Sequence, residues 1–152
     1  MSTSVLEAVV DLNNRQLVET SLWERLASRI VREHDVDRSY ADRILDQTVS
    51  FLRLCADADG IAYAPSEKVD IGWHTFILHT RDYAAFCDHI AGRFIHHVPT
   101  DSEGGDGECL TTIARTTAAL RDRGLPVDDQ LWAVHAGCGG HRCTGDECRN
   151  GR

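Results

Sequence analysis

Apolar residues recur every three to four positions along most of the chain, which is the spacing of amphipathic helices. One such stripe comprises Val5, Leu6, Val9, Val10 and Leu12. A second follows Thr20 or Ser21, either of which could cap a helix, and a third runs over residues 40–52 and stops by Gly60. No stretch alternates strictly between apolar and polar residues, so the pattern predicts an all-α fold.

The longest continuous pattern predicts one central helix over about residues 66–91. Ser66 is a good N-cap, Glu67 is favourable in the first turn, and Gly92 is a natural C-cap. Two further helices are expected, one ending at Gly124 and a short one with Pro126 early in it. The predicted fold is therefore a bundle of five to six helices around the 66–91 helix, with an irregular Cys-rich C-terminal tail.

The length of 152 residues favours a single core. We assign residues 1–137 to one helical domain and residues 138–152 to a Cys/His-rich tail that has no core-forming residues. The polar stretch "TDSEGGDGE" reads as a loop before the fifth helix.

The composition, 42% hydrophobic and 26% charged, is typical of a soluble globular protein. A net charge of −8 argues against nucleic acid and anionic membranes as partners. No stretch approaches the roughly 18 apolar residues of a membrane span, and the N-terminus does not resemble a secretory signal. A cytoplasmic location is therefore expected, with cysteines as thiols or metal ligands. All basic residues but Lys68 are arginine, which hints at a bacterial source.

Histidine is concentrated in one stretch, "VDIGWHTFILHTRDYAAFCDHIAGRFIHHVP". Asp70 and His74 are four residues apart and share one helix face, and both side chains are good ligands for zinc or iron. His79 lies about 140° further round a regular helix, so we expect it to pack or to make a supporting hydrogen bond. His89 lies too many turns away to share a small site.

His96 and His97 follow the helix end in a segment that is expected to be extended, because Val98 precedes a proline. Adjacent side chains of an extended segment point to opposite sides, so at most one imidazole should turn toward Asp70 and His74, and only if Gly92 folds the chain back. Two histidines and one carboxylate leave coordination positions open, as in many non-haem iron and catalytic zinc sites.

Structural roles for these residues remain open. A histidine on an apolar helix is usually a satisfied core residue, and Asp70 could pair with Arg81 or Arg93. Tyr83 is either a buried hydrogen-bond donor or a proton donor lining a site. The candidate catalytic residues are Asp70, His74 and Tyr83, and the candidate metal ligands are Asp70, His74, His96 and His97.

The same stretch resembles the conserved segment of the glycine-rich domain-containing protein family, over about a third of the chain. The matching positions are Val69, Asp70, Trp73, His74, Thr80, Tyr83, Phe86, Cys87, Gly92, Phe94, Ile95, His96, His97 and Pro99. The resemblance implies that Asp70, His74 and one or both of His96 and His97 form a unit. Phe76 departs from it, because many relatives carry a histidine there.

The tail holds a second group of potential ligands within residues 138–148: Cys138, His141, Cys143 and Cys148. Thiolates and imidazole in a small Gly-rich loop can hold a structural zinc ion, although this spacing is not a standard one. A redox disulfide and a tail without a site are the alternatives. The tail could also fold over the helical site and supply a soft ligand there.

Two hypotheses about function follow. The first is a metal-binding helical protein. Its extension is a tailoring enzyme whose zinc or iron ion activates water or oxygen to act on a small molecule or peptide. The second is a non-catalytic module that binds a protein or peptide, with structural histidines and a structural zinc in the tail. The sequence does not predict the oligomeric state.

Overall fold

The structure, a computed structural model, describes residues 13–58, 60–98 and 106–134. These ranges contain a short 3-10 helix, Asn14–Leu17, and six α-helices: α1 Thr20–His34, α2 Arg38–Ala56, α3 Glu67–Leu78, α4 Thr80–Ala91, α5 Asp106–Asp122 and α6 Asp129–Trp132. They contain no strand, so the all-α prediction is confirmed. None of these helices combines the length and apolarity that crossing a bilayer requires. The stripe predicted over residues 5–12 lies outside the described ranges.

Helix α2 occupies the centre of the bundle, where the sequence pattern had placed the 66–91 helix. It packs against α1, α3, α4, α5 and the 3-10 helix. Its buried residues cover most of its circumference and include Phe51, Leu52 and Leu54, all fully buried. Buried polar groups are interspersed among them and are hydrogen-bonded, as with Gln47, whose Oε1 accepts from Trp132 Nε1 at 2.7 Å. Because some buried positions of α2 are polar, the sequence pattern suggests a helix with one exposed polar face, although most of its surface is buried.

The predicted 66–91 helix is in fact two helices, α3 and α4, separated at His79. The backbone of His79 leaves the helical region, with φ −89° and ψ 67°. Its amide donates to the Phe76 carbonyl at 3.0 Å, and its Nδ1 lies 3.0 Å from the Thr75 carbonyl oxygen. The imidazole therefore satisfies a carbonyl left open at the end of α3. No glycine or proline lies at this position, and the spacing of apolar residues continues across it, so the sequence does not indicate the break.

The break brings together two side chains that a straight helix would separate. Ten residues of continuous helix would place Trp73 and Tyr83 about 15 Å apart along the axis. In the structure, Trp73 Nε1 donates to the Tyr83 hydroxyl at 2.9 Å.

Helices α2 and α3 approach most closely at Gly72. A β-carbon at that position would lie 2.0 Å from Thr48 Oγ1 and 3.0 Å from Ile44 Cγ2. The Thr48 hydroxyl is itself fixed, because it lies 2.8 Å from the Ile44 carbonyl and 3.2 Å from that of Val69. Only glycine permits this helix contact.

Other helix ends agree with the sequence in part. Gly92 adopts φ 66° as the C-cap of α4, and Ser66 Oγ accepts from the Val69 amide at 3.2 Å. The N-cap of α1 is Glu19, without a side-chain bond, and not Thr20 or Ser21. Helix α2 ends four residues before Gly60, and Pro126 precedes α6 instead of lying within it.

Replacing Ser66 with alanine is expected to lower the free energy of unfolding by about 1–2 kcal/mol. The buried hydroxyl caps α3 and also donates to the Leu131 carbonyl at 2.6 Å, so both bonds are lost. Urea unfolding followed by circular dichroism measures the change. Ser39→Ala, at an exposed position in α2, serves as the control and should stay within about 0.5 kcal/mol of the wild type. Equal effects of the two substitutions would contradict the role of Ser66.

Candidate metal site

Three side chains converge at the surface beside the first turns of α3: Asp70, His74 and His97. One potential ligand atom from each lies within 4.8 Å of the other two. His97 Nε2 is 2.8 Å from Asp70 Oδ1, and His74 Nε2 is 3.9 Å from Asp70 Oδ2. We call these three residues the Asp/His/His cluster. Their donors are two imidazoles and one carboxylate, a set that can hold a metal ion.

Local sequence accounts for the two members on α3. Asp70 and His74 are four residues apart, so they lie one above the other on one face. Asp70 belongs to the first turn, where the helix dipole favours a negative charge. Gly72 lies on the opposite side of α3, about 200° from each of them. The close contact with α2 at Gly72 therefore leaves the cluster facing away from that helix.

His97 reaches the cluster through residues 92–98, which we call the return segment. The left-handed backbone of Gly92 turns the chain back after α4. Arg93 Nη2 then donates to the Cys55 carbonyl at the end of α2, at 2.9 Å. Ile95 is fully buried, and its carbonyl accepts from the Tyr83 hydroxyl at 2.5 Å. Because side chains alternate along an extended chain, Ile95 and His97 both turn inward.

The imidazole of His97 is held on several sides. Its ring centroid lies 4.4 Å from that of Trp73 and 4.5 Å from that of His74. Its side chain is 9% exposed, compared with 13% for Asp70 and 54% for His74. Two of the three donors are thus fixed within the protein, and the third projects into solvent.

The hydrogen bond between His97 and Asp70 has a defined direction. An ionised carboxylate oxygen only accepts, so this hydrogen bond requires the tautomer of His97 that carries a proton on Nε2. A metal ion bound at Nε2 would displace that proton, and the neutral imidazole would then carry its proton on Nδ1. Tetrahedral zinc with bonds of about 2.0–2.1 Å separates its ligand atoms by about 3.3 Å. The observed 2.8 Å therefore needs only a small adjustment.

The other candidate residues of the helical region lie outside the cluster. His96 turns to the other side of the return segment, with its ring centroid 4.7 Å from that of Phe94. Tyr83 is fully buried in the core, where burial raises the pKa of its phenol far above the ordinary value. Cys87 is also buried, and burial raises the pKa of its thiol. Cys87 is not among the three ligand residues that converge, and a role for Tyr83 as a proton donor stays a prediction.

Two residues that shape the cluster were not assigned such roles from sequence. Trp73 packs at a tilted angle against His97, and its position directly before His74 is a signal that could have indicated this contact. Arg93 binds carbonyl oxygens at the end of α2, and no motif or spacing indicates this contact. The tail ligands Cys138, His141, Cys143 and Cys148 lie outside the described residues, so that second site stays a prediction.

Comparison with known proteins corrects one prediction from sequence. No curated protein and no solved structure matches the chain. The resemblance to the glycine-rich domain-containing protein family is wrong, because the family model that matches is a different one. That resemblance was carried by a local pattern around the histidines, whereas the matching model also covers α1 and α2. The chain belongs to the UCP032817-like family, whose model matches residues 13–116 and thus includes all three residues of the Asp/His/His cluster.

Proposed function

We propose that the Asp/His/His cluster binds one divalent transition metal ion, zinc or iron(II). The observation that carries the proposal is the convergence of three donor atoms within 4.8 Å from two separate segments of the chain. Imidazole nitrogen suits zinc and iron, whereas magnesium and calcium prefer sites made entirely of oxygen.

Three protein ligands leave at least one coordination position open. The exposed side of the cluster, next to His74, is where water or a substrate would approach. In that position a zinc ion acts as a Lewis acid and lowers the pKa of bound water, whereas iron also supports oxygen chemistry. We extend the proposal to a metal-dependent enzyme that acts in the cytoplasm on a small molecule or peptide.

A structural role is the second candidate, and one observation favours it specifically. The 2.8 Å bond from His97 to Asp70, with His97 packed against Trp73, already ties the return segment to α3. In a non-catalytic binding module, this pair would hold the surface in shape without any ion. The two candidates differ in the role of His74. A metal site uses His74 as a ligand, whereas the structural pair of His97 and Asp70 does not require this largely exposed side chain.

Zinc binding by the untagged protein is the direct test. The wild type is expected to retain about one zinc ion per chain after dialysis, measured by elemental analysis. His74→Ala should weaken zinc affinity by about 100-fold or more, since it removes one of three ligands, with little change in stability. His96→Ala is the matched control. It removes an imidazole next to His97 in the chain but outside the cluster, and should leave zinc binding unchanged.

A chain ending at Gly137 separates the two predicted metal sites. If the cluster holds the ion, the shortened chain retains it, and His74→Ala abolishes binding in that background. Loss of zinc on truncation, with full binding by His74→Ala, would assign the ion to the tail cysteines. Absence of zinc from every variant, after iron(II) has also been offered anaerobically, would reject the metal proposal and favour the structural pair.

A further inference from the structure

The hydroxyl of Tyr83 lies at a buried junction between three parts of the fold. It accepts a hydrogen bond from Trp73 Nε1 on α3 at 2.9 Å, and it donates one to the Ile95 carbonyl of the return segment at 2.5 Å. Trp73, Tyr83 and Ile95 are all fully buried. Each of these bonds is therefore shielded from competing water, and losing either leaves a buried polar group without its partner.

Both partners of this hydroxyl contact or adjoin His97. Ile95 precedes His97 by two residues and turns to the same side of the extended chain. The indole of Trp73 packs at a tilted angle against the His97 ring, with 4.4 Å between centroids. The hydroxyl thus fixes the backbone that carries His97 and the ring that His97 packs against.

We infer that Tyr83 is a positioning residue, which holds His97 in the orientation that metal binding requires. The inference rests on the proposed metal function of the cluster. Tyr83 acts through Trp73 and Ile95 and does not touch the ion itself.

The ring and the hydroxyl of Tyr83 have separable roles. The ring packs edge-on against Phe76 and Phe94, with 5.3 Å and 5.2 Å between ring centroids. A phenylalanine would keep these contacts. Within this side chain, only the hydroxyl makes the hydrogen bonds to Trp73 Nε1 and to the Ile95 carbonyl. Tyr83→Phe therefore preserves the packing and removes the link to His97.

Cobalt(II) is a suitable probe, because it occupies zinc sites and its visible absorption depends on coordination geometry. We expect Tyr83→Phe to bind Co²⁺ about 10- to 100-fold more weakly than the wild type, as is usual when a group that orients a ligand is removed. The absorption bands of the saturated variant should also change in position and intensity. A loss of stability alone would leave these bands unchanged.

Thr116→Val is the matched control. Thr116 is fully buried, and its hydroxyl also makes two hydrogen bonds, to the Thr112 carbonyl at 2.8 Å and from the Ala64 amide at 3.1 Å. The Thr116→Val substitution therefore removes a buried hydroxyl that also makes two hydrogen bonds, at a position away from His97. Co²⁺ affinity of this control should stay within about twofold of the wild type, even when its stability falls as far as that of Tyr83→Phe.

Trp73→Phe provides a second variant in case Tyr83→Phe does not fold. It removes the indole donor, and we expect weaker Co²⁺ binding together with altered bands. Wild-type binding and bands in whichever variant folds would overturn the inference, while the proposed function would stand. A wild-type chain that binds neither Co²⁺ nor zinc would instead refute the proposed function, and the inference with it.

Discussion

Replacing Asp70 with asparagine is expected to reduce zinc affinity at the cluster by at least about 100-fold, equivalent to about 2.7 kcal/mol, while the chain stays folded. Asp70 supplies the one negative charge among the three donors, and a neutral amide oxygen is a much weaker zinc ligand. The amide oxygen of asparagine can still accept a hydrogen bond from His97 Nε2, so the contact between α3 and the return segment is retained. Titration calorimetry with zinc and urea unfolding of the metal-free protein measure the two effects separately.

Glu67→Gln is the matched control for this substitution. It makes the same change from acid to amide in the first turn of α3, at an exposed position outside the cluster. Both variants lose a favourable interaction with the helix dipole, worth about 0.3–1 kcal/mol, but only the Asp70 variant should lose zinc. Undiminished zinc binding by Asp70→Asn would show that the carboxylate serves only to hold His97.

Replacing Gly72 with alanine is expected to destabilise the fold by about 1–2 kcal/mol, the upper part of the overpacking cost less the gain in helix preference. Intrinsic helix preference alone would favour alanine by about 1 kcal/mol. The new β-carbon, however, would lie 2.0 Å from Thr48 Oγ1, and overpacking of a tight core typically costs about 1–3 kcal/mol, occasionally more. The Thr48 hydroxyl shares its one proton between the Ile44 and Val69 carbonyls, which holds it in place, so the steric cost should exceed the gain in helix preference. Urea unfolding gives the net effect.

A double-mutant cycle with Thr48→Ala tests the cause. Removing the Thr48 hydroxyl makes room for the β-carbon, so the double variant should be more stable than the sum of the two single effects predicts. Additive losses would place the cost elsewhere, for example at Ile44, whose Cγ2 would lie 3.0 Å from the new atom.

Periodicity predicted the fold class and most helices because it reports directly which face of a helix is buried. It failed at His79, where the break depends on an imidazole bonding the Thr75 carbonyl and on the contact between Trp73 and Tyr83. Both are consequences of tertiary packing, and neither changes the local pattern. For the same reason, the pattern could not show that α2 is the most enclosed helix.

Within the cluster, the spacing of Asp70 and His74 is a local property and could be read from the sequence. The alternation rule limited the contribution of the return segment to one histidine, but it could not choose between His96 and His97. That choice depends on the hydrogen bond from Tyr83 to the Ile95 carbonyl, which sets which side of the segment faces inward. The choice of family from the local motif was wrong, because a short pattern around the histidines does not represent the whole chain.

The unequal exposure of the three donors has a kinetic consequence. His74 is 54% exposed, whereas Asp70 and His97 are nearly enclosed, so an ion arriving from solvent would meet His74 first. Release would begin with a rotamer change of His74, a motion that takes picoseconds to nanoseconds for an exposed side chain. The core would not have to open. An ion held here would therefore exchange with a chelator much faster than the protein unfolds, and the loaded and empty chains would share one fold.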